Sequence, residues 1–460
     1  MNRFFGMLLV IAATLAGLVL LSAGFYLAAG WLGWGFNALA GWISGSPGVS
    51  RPAVYYGASV ANVLTLLLVV LMISASLLTV AERKWSALIQ NRIGANRIKV
   101  FGSALGGIPF LAADALKMLT KERIETTGRT RVLYELAPML AFAPVFALFA
   151  IIPVGQGIEL NQIPGLAGAA AAGAVEQIAL QVSRTDTGLL YLFAIASLQV
   201  YGTALAGWAS NNKLALLGGV RASSQMISYE VSLGLSLVGT MIAYRTLRLE
   251  EMVVAQGNPV LGPVPALGLL LQPIGFLIFF ASAFAETKRA PFDLPEGESE
   301  IVGYFVEYSG MKFGLLFLAE FAEIVVLAGV ITAVFLGGWH PILFEGWLRQ
   351  NLTPFWFAAV GAGAFIAKMI VMMWLQLTIR WLLPRFRFDQ IQKLCWKLLL
   401  PAALVNVFVT GAALLLDPSG QLLAWIGVLT IVVIAVLTAA VGRAPAPAAG
   451  HGAAHAAAGH

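Results

Sequence analysis

The chain has 460 residues, of which 59% are hydrophobic and 11% charged, with a mean hydropathy of +0.86 and a net charge of +6. A soluble chain of this length carries about 25% charged residues, and it lacks repeated apolar runs of roughly 20 residues, the length that crosses a bilayer. The composition therefore excludes a soluble protein and predicts an all-α integral membrane protein.

Apolar runs recur along the whole chain and predict about ten transmembrane helices. The spans lie near 4–29, 58–81, 134–155, 188–208, 223–244, 264–285, 313–337, 355–379, 397–416 and 421–441. The first run follows Arg3, as in a signal peptide, but it is longer than the apolar region of about 7–15 residues that signal peptides contain. We therefore expect a retained helix.

The distribution of Lys and Arg orients the predicted spans. With the N-terminus inside, the inward segments hold 22 of the 28 bases. The outward segments hold five bases, and Lys368 lies within a span. This asymmetry fits the positive-inside rule. We expect both termini on the cytoplasmic side of the membrane.

The first long inward loop, residues 82–133, is basic, with ten bases and four acids. Most of these bases suit a solvated face that contacts anionic lipid. Within the loop, residues 109–119 place Phe110, Leu111, Leu116 and Leu119 near one helical face, which predicts a helix lying in the membrane interface. Glu82 and Arg83 lie where the preceding span ends.

The connection 286–312 is acidic and begins ETKRAPFDLPEGESEIVGYFVE. Pro291 and Pro295 exclude a regular helix through its first part. Glu296, Glu298 and Glu300 are close enough in sequence to repel one another, so a partly buried site requires some of them to be protonated. A plain acidic surface loop is the alternative, but the interleaved PFDLP and IVGYF residues argue against it.

Four ionisable residues lie inside predicted spans: Glu230, Glu320, Glu323 and Lys368. Glu230 is predicted two turns into its helix, and Glu320 and Glu323 share a face because they are three residues apart. Each charge costs roughly 2.5–3.5 kcal/mol in mid-bilayer, so these groups must face one another, water or a partner. A proton relay is the functional interpretation, and a structural ion pair such as Lys368 with Glu323 is the alternative.

Few residues are available to hold a redox centre. Cys395 is the single cysteine, so the chain alone holds neither a disulfide nor a four-thiolate iron–sulfur cluster. Three of the four histidines lie in the Ala/Gly/Pro-rich tail 443–460, which reads as low-complexity, disordered sequence. We predict no metal site, and any redox centre is expected in partner proteins.

Several motifs together resemble one family. In chain order they are AERK, NRIGANR, AADALKMLTKE, ELAP, GWASNNK, SYE, AETKRAPFDLPEGESE, EYSGMKF and PRFRFDQIQKLCWKLLLP. They are similar to the H subunit of bacterial respiratory complex I, NADH:quinone oxidoreductase. The resemblance covers residues 58–416 and implies eight family helices in one membrane domain. Residues 1–57 and 417–442 then each add an extra span, and residues 443–460 form the tail.

The resemblance implies a membrane subunit that forms part of a quinone chamber and couples quinone reduction to proton translocation. Quinone is the implied substrate, and FMN and iron–sulfur clusters belong to partner subunits. The implied partners are peripheral quinone-module subunits and antiporter-like membrane subunits, besides lipid, with no nucleic acid. The candidate relay residues are Glu230, Glu320, Glu323, Lys368, Glu286, Asp293, Glu296, Glu298, Glu300 and Glu307. The candidate chamber residues are Glu82, Arg83, Arg92, Arg97, Asp114, Lys117, Arg289 and Phe292.

The sequence departs from the family pattern at a few positions. Ala95 replaces a usual proline, Lys288 replaces a usual asparagine, and AEFAE lacks a tyrosine that often follows the first glutamate. Three alternatives stay open at this point: the equivalent subunit of a membrane-bound hydrogenase, a stand-alone secondary transporter, and a structural anchor for a peripheral arm. A transporter usually has repeated halves and broken helices, and an anchor has no need of buried acids.

Overall fold

The computed structural model describes residues 2–44, 51–99, 105–166, 177–295, 303–342 and 345–443, and most of them are helical. The α-helices are α1 (Asn2–Ser44), α2 (Arg51–Asn62), α3 (Ser74–Ile89), α4 (Pro109–Thr120), α5 (Arg131–Ala150), α6 (Gly188–Ala209), α7 (Lys213–Tyr244), α8 (Leu249–Gln256), α9 (Gly268–Leu271), α10 (Pro273–Glu286), α11 (Met311–Phe335), α12 (Glu345–Asn351), α13 (Pro354–Leu382), α14 (Phe388–Leu394), α15 (Leu400–Leu416) and α16 (Gln421–Arg443). π-helical segments Val63–Ile73 and Cys395–Leu399 join α2 to α3 and α14 to α15, and short 3₁₀ turns occupy Leu105–Gly107 and Leu160–Gln162.

Long apolar helices confirm the prediction of an all-α integral membrane protein. In the described part of the chain, nine helices are long and apolar enough to cross a membrane. They are Val10–Ser44, Ala53–Ile89, Arg131–Ala150, Gly188–Ala209, Lys213–Tyr244, Met311–Phe335, Pro354–Leu382, Phe388–Leu416 and Gln421–Ala440. The remaining predicted span, near 264–285, corresponds to the short α9 and the 14-residue α10, which are separated at Gln272.

Local sequence explains where several helices begin and end. Proline occupies the first turn of α4, α10, α13 and α15, where its missing N–H is not needed. The side chain of Asn212 accepts a hydrogen bond from the Leu214 N–H and so caps the start of α7. Because α7 begins at Lys213, Glu230 lies about five turns into the helix, so the predicted depth of two turns is wrong.

Helix α11 is the centre of the bundle. In its most apolar 18-residue stretch, 83% of the residues are buried, whereas the corresponding stretches of α1 and α16 have 22% and 17% of their residues buried. It packs against α3, α5 and α13. The outer helix α1 packs along α2 through glycine, since a Cβ at Gly57 would lie 2.5 Å from the Leu32 carbonyl oxygen.

The connections divide between two ends of the bundle. We call the end that carries residues 90–99, 105–130, 287–295, 303–310 and 383–387 the loop end, and the other end the far end. Two small antiparallel hairpins lie at the far end: β1 (Gly155–Glu159) with β2 (Gln177–Leu180), and β3 (Pro259–Leu261) with β4 (Val264–Pro265). Gly155 faces Leu180 and Ile158 faces Ile178 in the first hairpin.

Candidate functional site: a buried charge network beside a cavity

A carboxylate between two guanidinium groups marks the loop end of the bundle. Glu82, in the middle of α3, is 8% exposed. Its Oε2 accepts a hydrogen bond of 2.7 Å from Arg289, which lies just after α10, and its Oε1 accepts one from Arg380 of α13. Three distant parts of the chain therefore meet at one buried ion cluster.

Arg289 extends this cluster to α11. Its second terminal nitrogen lies 3.7 Å from Oε2 of Glu320, and the hydroxyl of Tyr304 donates to Oε1 of the same carboxylate at 3.0 Å. The guanidinium also lies 3.8 Å from the centroid of the Phe321 ring, a cation–π contact. Because a guanidinium stays protonated in proteins, Arg289 holds charge at this point and cannot itself pass on a proton.

The neighbouring base, Lys288, meets the second acid of α11. Its Nζ lies 3.6 Å from Oε2 of Glu323, which also accepts a 2.8 Å hydrogen bond from the amide of Gln199 on α6. Lys288 is 1% exposed and has a left-handed backbone, with φ of 55°. Two consecutive bases of one connection therefore pair with two acids three residues apart, which share one face of α11. We call Glu82, Lys288, Arg289, Glu320, Glu323 and Arg380 the charge network.

Two further carboxylates lie next to the charge network. Glu286, at the end of α10, is buried and close enough to both Glu323 and Glu230 for each of them to repel its carboxylate. Glu230 is half-buried on α7. The acids of α7, α10 and α11 thus form one electrostatic group, with Lys288 as the nearest positive charge to Glu323.

The start of the acidic connection is fixed to α7 and to the segment after α13. The amide of Gln225 donates to the carbonyls of Ala285 and Phe292 at 2.6 and 2.8 Å. Asp293 pairs with Arg385 at 2.5 Å. Burial raises the pKa of Asp293 above its ordinary value, and the Arg385 charge opposes that shift.

A cavity lies between α3, α4, α11 and residues 306–310. Its volume is about 770 Å³, within the usual range of ligand pockets, roughly 300–1,000 Å³. Most of its wall is apolar, as in Leu111 and Met118 of α4 and Phe313 and Phe317 of α11. The polar wall includes Lys117 and the ion pair of Arg83 with Asp114, at 2.8 Å.

Aromatic rings connect the cavity to the charge network. The ring of Phe317 forms part of the cavity wall and contacts the Phe321 ring edge-to-face, with 4.9 Å between centroids. Phe321 is the ring beneath Arg289. A ligand in the cavity is therefore separated from the buried guanidinium by two aromatic side chains, and Arg83 in the wall is the chain neighbour of Glu82.

Comparison with known proteins identifies the family. The family model described as NADH dehydrogenase matches residues 61–411. The chain belongs to the NADH dehydrogenase family. It is 42% identical over 352 residues to an H subunit of the NADH-quinone oxidoreductase of Syntrophobacter fumaroxidans, covering 76% of this chain and 94% of that protein. It is 39% identical over 359 residues to an H subunit from Cytophaga hutchinsonii, covering 78% and 96%. It is 38% identical over 371 residues to the H subunit from Geobacillus thermodenitrificans, covering 80% and 97%.

Most of the predicted site residues of this NADH dehydrogenase family chain lie together at the loop end. Glu82, Arg289, Glu320 and Glu323 form the network, and Glu230 and Glu286 adjoin it. Arg83, Asp114 and Lys117 line the cavity. Phe292 packs edge-on against Tyr229, with 5.6 Å between the ring centroids. The Glu307 carboxylate accepts a hydrogen bond of 2.5 Å from Asn212.

Other predicted residues are not seen in the charge network or in the cavity wall. Arg92 and Arg97 are exposed on the loop after α3 and do not line the cavity. Glu296, Glu298 and Glu300 fall outside the described residues, as does the tail from residue 444 onward. The extra helices α1 and α16 lie outside the residues that match the family model.

Lys368 has a different environment from the acids. Its ammonium donates to the backbone carbonyls of Leu336, Gly338 and His340 at 2.8, 2.9 and 2.7 Å, where α11 ends. Glu323 pairs with Lys288 instead, so the alternative of a Lys368–Glu323 ion pair is wrong. All three carbonyls belong to residues that follow α11, so the lysine holds the chain in the turn by which it leaves the helix.

Several residues of the charge network, and some of their hydrogen-bond partners, were not predicted from the sequence. Lys288 is apparent there only as a departure from the family pattern, and nothing local assigns a role to Arg380, Tyr304 or Gln199. The sequence signal that could have indicated these pairs was two adjacent bases, Lys288 and Arg289, together with two acids at a helical spacing of three, Glu320 and Glu323. Arg380 pairs with a residue 298 positions away, and no local pattern indicates such a partner. Among the described residues no group of three or more His, Cys, Asp or Glu is suited to hold a metal ion.

Proposed function

We propose that this chain is the H subunit of a proton-translocating NADH:quinone oxidoreductase, and that its cavity is part of the quinone chamber. Family membership and the names of relatives at about 40% identity support the assignment. The observation that carries the chamber proposal is the apolar cavity of about 770 Å³ lying against the buried charge network.

The quinone ring enters the cavity between α4 and α11, and its apolar tail extends toward lipid. Reduction of a quinone to a quinol consumes two electrons and two protons. FMN and iron–sulfur clusters of peripheral partner subunits supply the electrons, because Cys395 alone cannot hold a cluster. This chain contributes the cavity wall, the electrostatic environment and groups that exchange protons.

The charge network responds to electric charge that develops in the cavity. Buried charges interact strongly because the local dielectric is low. Arg289 divides its attraction between Glu82 and Glu320, so a negative charge near Phe317 competes with both carboxylates for the guanidinium. Weaker pairing at Glu320 leaves more negative charge beside Glu323, and the change passes from Glu323 to Glu286 and from Glu286 to Glu230 through electrostatic repulsion.

The proton-exchanging groups in this scheme are the carboxylates, because a guanidinium stays protonated in proteins. Oε1 of Glu323 and Oε1 of Gln199 are buried atoms without a hydrogen-bond partner. Polar atoms of that kind suit hydrogen bonds from internal water. The acidic connection 286–312 contributes five further proposed members of this group: Asp293, Glu296, Glu298, Glu300 and Glu307. Lys368 is left out of the route on its geometry.

The other candidate functions are less favoured. The relatives carry the name of a quinone oxidoreductase subunit, which favours that complex over a hydrogenase-type complex. Close matching along most of the chain to a component of a complex argues against a stand-alone transporter. The acids gathered around Lys288 and Arg289 argue against a mere anchor. We place the protein in a bacterial inner membrane with both termini cytoplasmic, beside quinone-module and antiporter-like subunits.

Replacing a relay acid in the assembled complex tests the proposal. Glu230→Gln and Glu320→Gln remove a proton-exchanging group and conserve shape, so we expect NADH-dependent quinone reduction and proton translocation to fall by about tenfold or more. Inverted membrane vesicles with a pH-sensitive dye report both rates. Asp389→Asn, on the exposed ion pair with Lys393, is the matched control. Control-like rates in both glutamine variants at equal assembly would contradict the proposed roles.

A further inference from the structure

The segment after α4, residues 121–130, crosses the loop end and contacts the last part of the acidic connection. We call residues 121–130 the strap and residues 304–309 the hinge segment. Ser309 accepts a hydrogen bond from the Ile124 N–H at 2.8 Å, and its hydroxyl lies 3.0 Å from the Ile124 carbonyl oxygen. Lys312, on the first turn of α11, pairs with Glu125 at 3.2 Å and with Glu135 at 2.5 Å.

Aromatic stacking strengthens the same junction. The rings of Tyr134 and Tyr308 are parallel to within 8°, with 4.2 Å between their centroids. The Tyr134 hydroxyl donates to the carbonyl of Glu307 at 2.7 Å, and the Lys312 ammonium lies 4.9 Å from the centroid of the Tyr134 ring. The hinge segment is therefore held on one side by the strap and the start of α5.

The other end of the hinge segment belongs to the charge network. Tyr304 is its first residue, and its hydroxyl is the donor to Glu320. Glycines with positive φ flank the segment: Gly303 has φ of 87° and Gly310 has φ of 60°. Glycine adopts such angles without the steric cost that other residues meet, and hinges are often small residues of this kind. The backbone can therefore change direction at both ends of the segment at little steric cost.

The strap begins at the helix that forms the cavity wall. No residue of α4 is buried, and its described ion pair to the bundle joins Asp114 to Arg83. An element with so few buried contacts has low local stability and moves readily. Among the elements of the cavity wall, α4 is therefore the one that a ligand displaces most easily, and the strap is its direct continuation.

We propose that Ser309 and Lys312 are positioning residues that couple occupancy of the cavity to the charge network. They join the strap to the hinge segment, so that a shift of α4 moves Tyr304 relative to Glu320. The proposal rests on the proposed function, since it takes quinone as the ligand in the cavity. It adds a mechanical connection to the electrostatic one through Phe317 and Phe321.

Hydrogen–deuterium exchange on the whole complex tests the connection directly. In the wild type, a short-chain benzoquinone is expected to slow exchange in α4 and in residues 303–310. In the Ser309→Ala/Lys312→Met variant, α4 still responds and residues 303–310 do not. If α4 fails to respond in the wild type, quinone does not occupy the cavity and the proposed function fails. If residues 303–310 respond equally in wild type and variant, the positioning role fails alone.

The number of protons moved per quinone reduced separates coupling from stability. A general loss of stability lowers both rates together, whereas a broken connection lowers their ratio, by about twofold or more. Lys312→Arg retains the charge and is expected to restore the ratio. Lys393→Met, which removes an exposed paired lysine, is the control. An unchanged ratio in the double variant overturns the proposal. If the double variant does not assemble, the number of protons moved per quinone reduced is measured in Ser309→Ala alone.

Discussion

Charged side chains contact α11 in its loop-end half and just beyond its far end, but with different kinds of partner. At the loop end, Glu320 and Glu323 meet the side chains of Arg289 and Lys288. At the far end, Lys368 meets three backbone carbonyls, and Gln256 donates to the Ala333 carbonyl and accepts from the Gly337 N–H.

The contrast separates an exchangeable site from a fixed one. Carboxylates can gain a proton and change their pairing, so the proposed relay requires more than one state of the arrangement at the loop end. The carbonyls that Lys368 binds do not titrate, so its three hydrogen bonds fix the chain where it leaves α11. A charged residue in a membrane helix is a functional candidate by default, but the chemistry of its partner decides between relay and anchor.

Removing the central guanidinium gives the largest expected effect. Arg289→Met leaves Glu320 without its positive partner in a buried site, and breaking a buried pair costs about 3–5 kcal/mol. We expect a strong loss of assembled complex and of quinone reduction. Arg289→Lys recovers little, because an ammonium lacks the planar fork that reaches two carboxylates.

Thermal unfolding of the purified complex and NADH:quinone turnover measure the effect of Arg289. Arg92→Met is the matched control, since Arg92 is an exposed base at the same end of the bundle. Normal stability together with normal turnover in Arg289→Met would mean that the network does not depend on its central cation, and the loop end would then resemble the far end.

Removing Lys368 sharpens the comparison with a smaller effect. Lys368→Met retains the length of the side chain and leaves carbonyls at the end of α11 unpaired, at a cost of about 1–3 kcal/mol. We expect a lower unfolding temperature, while the protons moved per quinone reduced in the assembled complex stay at the wild-type value. A fall in that ratio with unchanged stability would return Lys368 to the relay and remove the distinction between the two ends.

The sequence predicted the helices and the buried acids well, for a physical reason. Length and hydropathy determine which segments cross a membrane. An acid inside a span costs enough free energy that it must face a partner or water, so it is noticed at once in the sequence. The pairing of those acids is a tertiary property. Glu82 with Arg380 joins residues 298 positions apart, and the break at Gln272 and the early start of α7 at Lys213 have no clear signal in hydropathy. The partners of Lys368 were hidden for a further reason, since backbone carbonyls have no sequence signature.

The smallest expected effect concerns the far end at low pH. His340 Nδ1 and Glu345 Oε1 are 3.0 Å apart, beside the carbonyl that Lys368 binds. The hydrogen bond with His340 lowers the pKa of Glu345 below its ordinary value of 4.5. A lowered carboxyl pKa contributes stability that is present above pH 4.5 and is lost as the pH falls through the lowered pKa.

Hydrogen exchange in residues 345–351 should therefore accelerate in the wild type as the pH falls through the lowered pKa of Glu345, and Glu345→Gln should remove most of this pH dependence. Because the acids of the loop end belong to a different group, the protons moved per quinone reduced should be the same in both proteins. A pH-dependent change of that ratio in Glu345→Gln alone would instead connect the far end to the exchangeable site.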